Sequence, residues 1–361
     1  MGDRLAGSPG QRSVESAQNP AGRANTVKYA VIGAGAMGYR YGVLLQEKAG
    51  LSVDFIDTWT PNLDAVHAQH GVYVSRDHEN RHLVPIRLCT PEEYTGDPDV
   101  WIVFVKQMQL AGVLKRCAHL FRPGQYVFSA MNGMGHVEKL QEYFADDHLV
   151  AGTAMIATVL NGPGDVDFIG ASGAGHMHMV NRTEKPDATT RAMVEDFTAA
   201  NLNPVLTENF MGTLMAKVVF NSVVNTLCTM FGVTMGEFAT YPGAQDMSRM
   251  LLDEAYDACE RDGIQLIETR QECVESVDFV SRVGNPLHYP SMYQDFSHGR
   301  PTEVDYINGY IARLGRKHDY ICRLHEFVTH QMHLAEAMRD LKAAGTVEQE
   351  DPARMGAQQA A

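Results

Sequence analysis

A chain of 361 residues, 45% hydrophobic and 20% charged, exceeds the roughly 250–300 residues at which one core stops growing, so two domains are expected. Its apolar content excludes a wholly disordered chain, and no uninterrupted apolar run reaches the roughly 18 residues of a membrane span. A net charge of -14 is the wrong sign for binding nucleic-acid phosphates, which leaves small molecules as the expected partners.

Residues 1–26 are rich in Gly, Ala, Ser, Pro and Arg and carry no apolar signal segment, so they read as a disordered leader. From 27 to 207, short apolar runs alternate with helical stretches: VKYAVIG, LSVDFID, DVWIVFV, QYVFSAM, HLVAGTAM, HMHMVN and NPVLT. That alternation predicts a parallel sheet covered by helices on both faces. From 208 to 342 the strand signals vanish and helical periodicity takes over. In the last apolar-faced helix Val304, Ile307, Ile311 and Leu314 share one side. Residues 343–361 are polar and Ala/Gln-rich and are expected to fray as a disordered tail. The cleft between the two domains is the expected site.

The first strand runs straight into GAGAMG, residues Gly33, Ala34, Gly35, Ala36, Met37 and Gly38. In a G-x-G-x-x-G turn the first glycine makes the bend and the second lets backbone approach a pyrophosphate. The third lets the helix pack closely on the strand. The next strand ends in Asp57, whose carboxylate either accepts the adenosine ribose hydroxyls, which favours NADH over NADPH, or merely closes the strand in a turn. The expected fold class is therefore α/β, an N-terminal Rossmann dinucleotide-binding domain followed by an all-α domain.

Within the apolar stretch TLMAKVVFNSVVNTLCTM, Lys217, Asn221 and Asn225 recur every four residues and form one polar stripe. A buried lysine is costly unless paired or facing a cleft, so the stripe is either a site or a solvated helix face. Further on, Ser291 and Thr302 each follow a proline and are expected to cap helices. Glu303 is then expected in the first turn of the last apolar-faced helix, where it either complements the dipole or holds Lys217 across the cleft. The six cysteines, Cys89, Cys117, Cys228, Cys259, Cys273 and Cys322, show no paired spacing and read as reduced core residues of a cytoplasmic protein. Among the histidines, His136, His176, His178, His288 and His298 lie in or near loops without metal-ligand spacing, so no metal is expected.

The glycine turn, VFVKQMQ, AMNGMGH, the lysine helix with its two asparagines and the block SMYQD…RPTEVDYING follow one another in the order of the ketopantoate reductases. The chain resembles that family, the 2-dehydropantoate 2-reductases, from about residue 28 to 315. The block LHYPSMYQD is closer to its D-mandelate-type branch, which reduces branched or aromatic 2-oxo acids.

The resemblance implies that Lys217 is the general acid and Glu303 the group that orients it. Asn132, Asn221, Asn225 and Ser291 are implied as substrate contacts, and Asn132 also as a bridge to the nicotinamide ribose. Lys106 is implied as a cofactor contact, assisted by Gln109. The implied activity is NAD(P)H-dependent reduction of a 2-oxo acid to a 2-hydroxy acid, with ketopantoate as the family default. Another branched or aromatic 2-oxo acid is the alternative, and a homodimer is the implied assembly. A different class, a non-catalytic dinucleotide sensor, predicts loss of Lys217 or Glu303, and both are present. Two positions depart from the family pattern. Met215 replaces a tryptophan, which is expected to widen the pocket, and Cys322–Arg323 replaces a Thr-Pro pair, which is expected to place a cation near the domain junction.

Overall fold

The computed structural model describes residues 27–345 except 174 and 176. The expected leader, most of the expected tail, and His176 lie outside the described residues. The N-terminal region runs β1 (Tyr29–Ile32), α1 (Ala36–Glu47), β2 (Val53–Ile56), α2 (Thr60–Gln69), β3 (Val72–Arg76), β4 (Glu79–Val84), β5 (Arg87–Cys89), β6 (Val100–Val103), α3 (Gln107–Cys117) and β7 (Tyr126–Ser129). It continues through α4 (His136–Leu140), β8 (Leu149–Ala154), β9 (Thr158–Gly162), β10 (Asp165–Phe168), β11 (Met177–Asn181), α5 (Ala188–Ala199) and β12 (Pro204–Leu206). The rest is helical: α6 (Phe210–Phe231), α7 (Met235–Thr240), α8 (Ala244–Arg261), α9 (Arg270–Phe279), α10 (Ser291–Ser297), α11 (Asn308–Arg316) and α12 (Arg323–Ala343).

One eight-stranded sheet has the order β12-β11-β8-β7-β6-β1-β2-β5. The strands from β8 to β5 are parallel, but β11 runs antiparallel to β8. The sheet is therefore mixed rather than parallel throughout. Its reversal follows from the connection, because β8 reaches β11 through the strands β9 and β10 instead of a crossover helix. Strands β9 and β10 join β3 and β4 in a second sheet of order β4-β3-β10-β9, which the sequence pattern did not reveal. In β4 the first five residues, ENRHL, are all exposed, so no alternation marks it as a strand. The central strands YAVI, VWIV and YVFS are buried along their whole length, as expected for a sheet covered on both faces.

The 22-residue α6 reaches a mean hydropathy of 1.4 in its best window, long and apolar enough on those grounds to cross a membrane. That corrects the expectation drawn from uninterrupted apolar runs. Its window is 72% buried inside the fold, where α6 packs against α8, α10, α12 and β8, as the core helix of the second region does. Two cap expectations also change. Pro290 occupies the N-cap of α10 and Ser291 makes no capping bond, because it is already the first residue of the helix. Thr302 caps nothing: its Oγ1 is buried without a partner, while its N–H donates to Glu336 at 2.6 Å. Glu303 precedes a single 3₁₀ turn, Val304–Tyr306, before α11 begins at Asn308, and α12 follows it. Glu303 is thus not in the first turn of an α-helix, and α11 is not the last helix.

Candidate active site

The end of β1 and the start of α1 meet without room for side chains. Gly33 has φ +95°, and a Cβ there would lie 2.3 Å from the Phe104 carbonyl oxygen. A Cβ on Gly38 would lie 2.0 Å from the Gly33 carbonyl oxygen. At Gly35, the N-cap of α1, a Cβ would meet nothing within 4 Å. No side chain caps this helix and no acidic residue stands in its first turn. The open cradle and the uncapped N–H groups, which include those of Ala36, Met37 and Gly38, fit a pyrophosphate.

Asp57 follows β2 with its carboxylate already engaged. Its Oδ1 accepts the N–H groups of Thr58 (2.6 Å) and Trp59 (3.1 Å), and its Oδ2 accepts Asn62 Nδ2 at 3.0 Å. Asn62 is fully buried. It also donates to Ala34 O at 3.0 Å and accepts from Tyr39 Oη and Gly164 N, both at 2.9 Å. One amide therefore ties the glycine turn, the end of β2 and the second sheet together. Nothing in the sequence pattern singles out Asn62 beyond its place five residues after Asp57.

On the helical side, Lys217 on α6 donates to the Ala154 carbonyl at the end of β8, 2.8 Å away. Burial lowers its pKa to about 8, and the Glu303 charge acts to raise it. The two residues form no ion pair; their coupling is through space. Glu303 instead accepts the Gln107 N–H at 3.2 Å, so this carboxylate sits at the N-terminus of α3, where the helix dipole favours it. Burial still raises the Glu303 pKa, against the pull of Lys106 and the Gln107 N–H.

Lys106, the N-cap residue of α3, pairs with Asp295 of α10 at 2.5 Å. Asp295 also holds Arg300 at 2.9 Å. Burial pushes the Lys106 ammonium down, but Glu303 and Asp295 outweigh it and hold its pKa above the usual lysine value. The pair joins the sheet region to the helical region. Gln107 Nε2 donates to Asn132 O at 2.8 Å, and Met134 N donates to Tyr306 O at 2.8 Å. The Asn132–Gly133 turn is thereby fixed against the segment that carries Glu303.

Asn221 and Asn225 are each 7% exposed, and neither carboxamide has a hydrogen-bond partner among the described residues. Neither is among the described residues' sealed polar atoms without a partner, so both amides stay within reach of solvent and are free to bond a ligand on the stripe with Lys217. Ser291 is exposed on α10 and Gln109 on α3; neither side chain is bonded to the lysine network. Met215 is fully buried, so it belongs to the core rather than to a widened pocket. Cys322 is buried and donates to Ile311 O and Glu254 O. Arg323 is exposed at the start of α12, so this pair lies within the helical packing and not at the junction. Gln107 and Asp295 stand unmarked inside the motifs VFVKQMQ and SMYQD, and no side-chain pattern could signal the Ala154 carbonyl. All six cysteines are buried and free, and the described residues hold no cluster of metal ligands.

A glycine-cradled helix start and a buried lysine on one stripe with two amides suit a dinucleotide-dependent enzyme, and its relatives make it an oxidoreductase that acts on CH–OH groups. Comparison with known proteins gives its family. The family described as Ketopantoate reductase PanE/ApbA matches residues 29–181, and its C-terminal counterpart matches residues 209–336. The 2-dehydropantoate 2-reductase of Lactococcus lactis subsp. lactis is 30% identical over 321 residues, 88% of this chain and 100% of that protein. That of Streptococcus pyogenes serotype M3 is 27% identical over 316 residues, 86% of this chain and 99% of that one. The ternary structure of a D-mandelate dehydrogenase with NADH and anilino(oxo)acetate superposes with a TM-score of 0.81 at 28% identity, covering 87% of this chain and 99% of that one. The chain belongs to the ketopantoate reductase family.

Proposed function

We propose that this protein reduces a 2-oxo acid to a 2-hydroxy acid with NAD(P)H, and that ketopantoate is its substrate. The observation that carries the reading is Lys217, buried, titrating near 8 and held by one carbonyl beside two unpartnered amides. A nicotinamide, when bound, supplies hydride to the carbonyl carbon. Lys217 gives its proton to the carbonyl oxygen as charge develops there. Asn221 and Asn225 present donors for the substrate carboxylate or hydroxyl, with Ser291 as a further contact. Glu303 keeps the lysine protonated through space. Gly33–Gly38 hold the pyrophosphate, and Asn132 and Lys106 border the nicotinamide end. The names of the curated relatives support ketopantoate.

The likeness to a D-mandelate dehydrogenase holding NADH and an aromatic oxo acid favours a second reading, an aromatic 2-oxo acid. It also supports NADH as the dinucleotide, in keeping with a carboxylate at Asp57. Six free buried cysteines suit a cytoplasmic enzyme. A panel of 2-oxo acids assayed with NADH and NADPH tests these readings. Ketopantoate should give the highest kcat/KM. A clear preference for phenylglyoxylate would hand the protein to the second reading, and no turnover of any 2-oxo acid would overturn both.

A further inference from the structure

The chain holds two tryptophans, and their surroundings are opposite. Trp101 in β6 is fully buried, edge-on to Tyr94 and Phe121, and its Nε1 donates to Gln125 at 2.8 Å. Trp59 is 42% exposed, and among the described residues its ring has no aromatic partner and its indole N–H no acceptor. An aromatic ring carries one of the largest apolar areas available for burial, and 42% of this residue stays open to solvent.

The backbone that presents Trp59 is fixed. Its N–H donates to Asp57 Oδ1 at 3.1 Å, and its carbonyl accepts from Asn62 N at 3.0 Å and Leu63 N at 3.2 Å. The indole thus leaves the chain from a rigid point just beyond the carboxyl end of β2, the strand hydrogen-bonded to β1 and its glycine turn. In an open α/β sheet ligands bind outside the carboxyl ends of the strands. A pyrophosphate on the turn after β1 puts the adenosine half toward β2.

We propose that Trp59 is the stacking platform for the adenine ring of the dinucleotide, an inference that rests on the dinucleotide reading above. Stacking uses the π face of the base and is indifferent to a 2′-phosphate. It therefore acts equally on NADH and NADPH, whereas Asp57 distinguishes them.

The test uses calorimetry and tryptophan emission on the full chain, with NADH, NADPH, ADP-ribose and reduced nicotinamide mononucleotide as probes. ADP-ribose should change the emission of the wild type but not that of Trp59→Phe. Trp59→Ala should weaken ADP-ribose, NADH and NADPH by a similar factor, about tenfold, while Trp59→Phe keeps most of the affinity. Reduced nicotinamide mononucleotide should bind the wild type and Trp59→Ala alike. Wild-type affinity for ADP-ribose in Trp59→Ala would overturn the proposal, as would an equal loss for the mononucleotide. A wild type that binds none of the four would overturn the dinucleotide reading, and the adenine platform with it.

Discussion

Burial draws the Lys217 ammonium down to about 8 while the Glu303 charge draws it back up, so the lysine titrates close to the working range of a general acid. In the proposed mechanism the protonated form is the one that serves reduction. The rate of reduction should therefore fall as pH rises through about 8. Glu303→Gln removes the charge that supports the ammonium while the amide oxygen can still accept the Gln107 N–H. The midpoint of the pH–rate profile should then move to lower pH. A profile of kcat against pH for both forms checks this, and coincident midpoints would confine Glu303 to capping α3. The lysine and the glutamate were legible in the sequence as a polar stripe and an acidic residue near a helix start. Their indirect coupling was not, because the Gln107 N–H and the Ala154 carbonyl that engage them are backbone groups from elements far along the chain.

At the scale of elements, the three glycines of the first turn do different work. Gly35 faces open space, and Gly38 faces the Gly33 carbonyl oxygen at a distance no Cβ tolerates. Gly38→Ala should separate α1 from β1 and cost at least about 1–3 kcal/mol, the usual penalty of overpacking. Gly35→Ala should cost no more than about 1 kcal/mol, the loss of a favourable N-cap residue, yet weaken the dinucleotide because the methyl group enters the cradle. Thermal melts and dinucleotide Kd values on the two variants separate these roles. Equal loss of stability in both would show that Gly35 is only a packing residue. Elements with long apolar runs, such as VWIV and YVFS, declared themselves in the sequence. The second sheet did not, since ENRHLV is exposed over most of its length and the pairing of β3 with the distant β10 leaves no local signature.

For the whole molecule, the division into an α/β part and a helical part was readable from periodicity alone, and the motif order gave the family. Sheet topology was only partly readable, because the reversal of β11 depends on how the second sheet returns the chain. One global property follows from polar groups sealed in each part. His136 lies fully buried beside the lysine network and His325 in the helical packing, and burial lowers each pKa to about 4. His325 is satisfied as a neutral ring, with Nε2 on Leu251 O at 3.0 Å and Nδ1 facing Asn308 Nδ2 at 3.3 Å. Between pH 6.5 and about 4 the unfolded chain binds protons at these sites that the folded chain does not. Stability should therefore be intact above about 6.5 and decline as pH falls across that window, by up to about 3 kcal/mol per histidine. Melts across that range should show the slope, and His325→Asn should flatten it; a slope unchanged by the substitution would exclude His325 as a source.

The central claim is that Lys217 supplies the proton in reduction of a 2-oxo acid. Its most direct test is kcat for ketopantoate reduction by the wild type and by Lys217→Ala, both saturated with reduced dinucleotide. The account predicts turnover by the wild type and a kcat lower by about 10²–10⁴ in the variant, the usual worth of a placed general acid, with dinucleotide Kd unchanged. A variant that turns over within a few-fold of the wild type would contradict it.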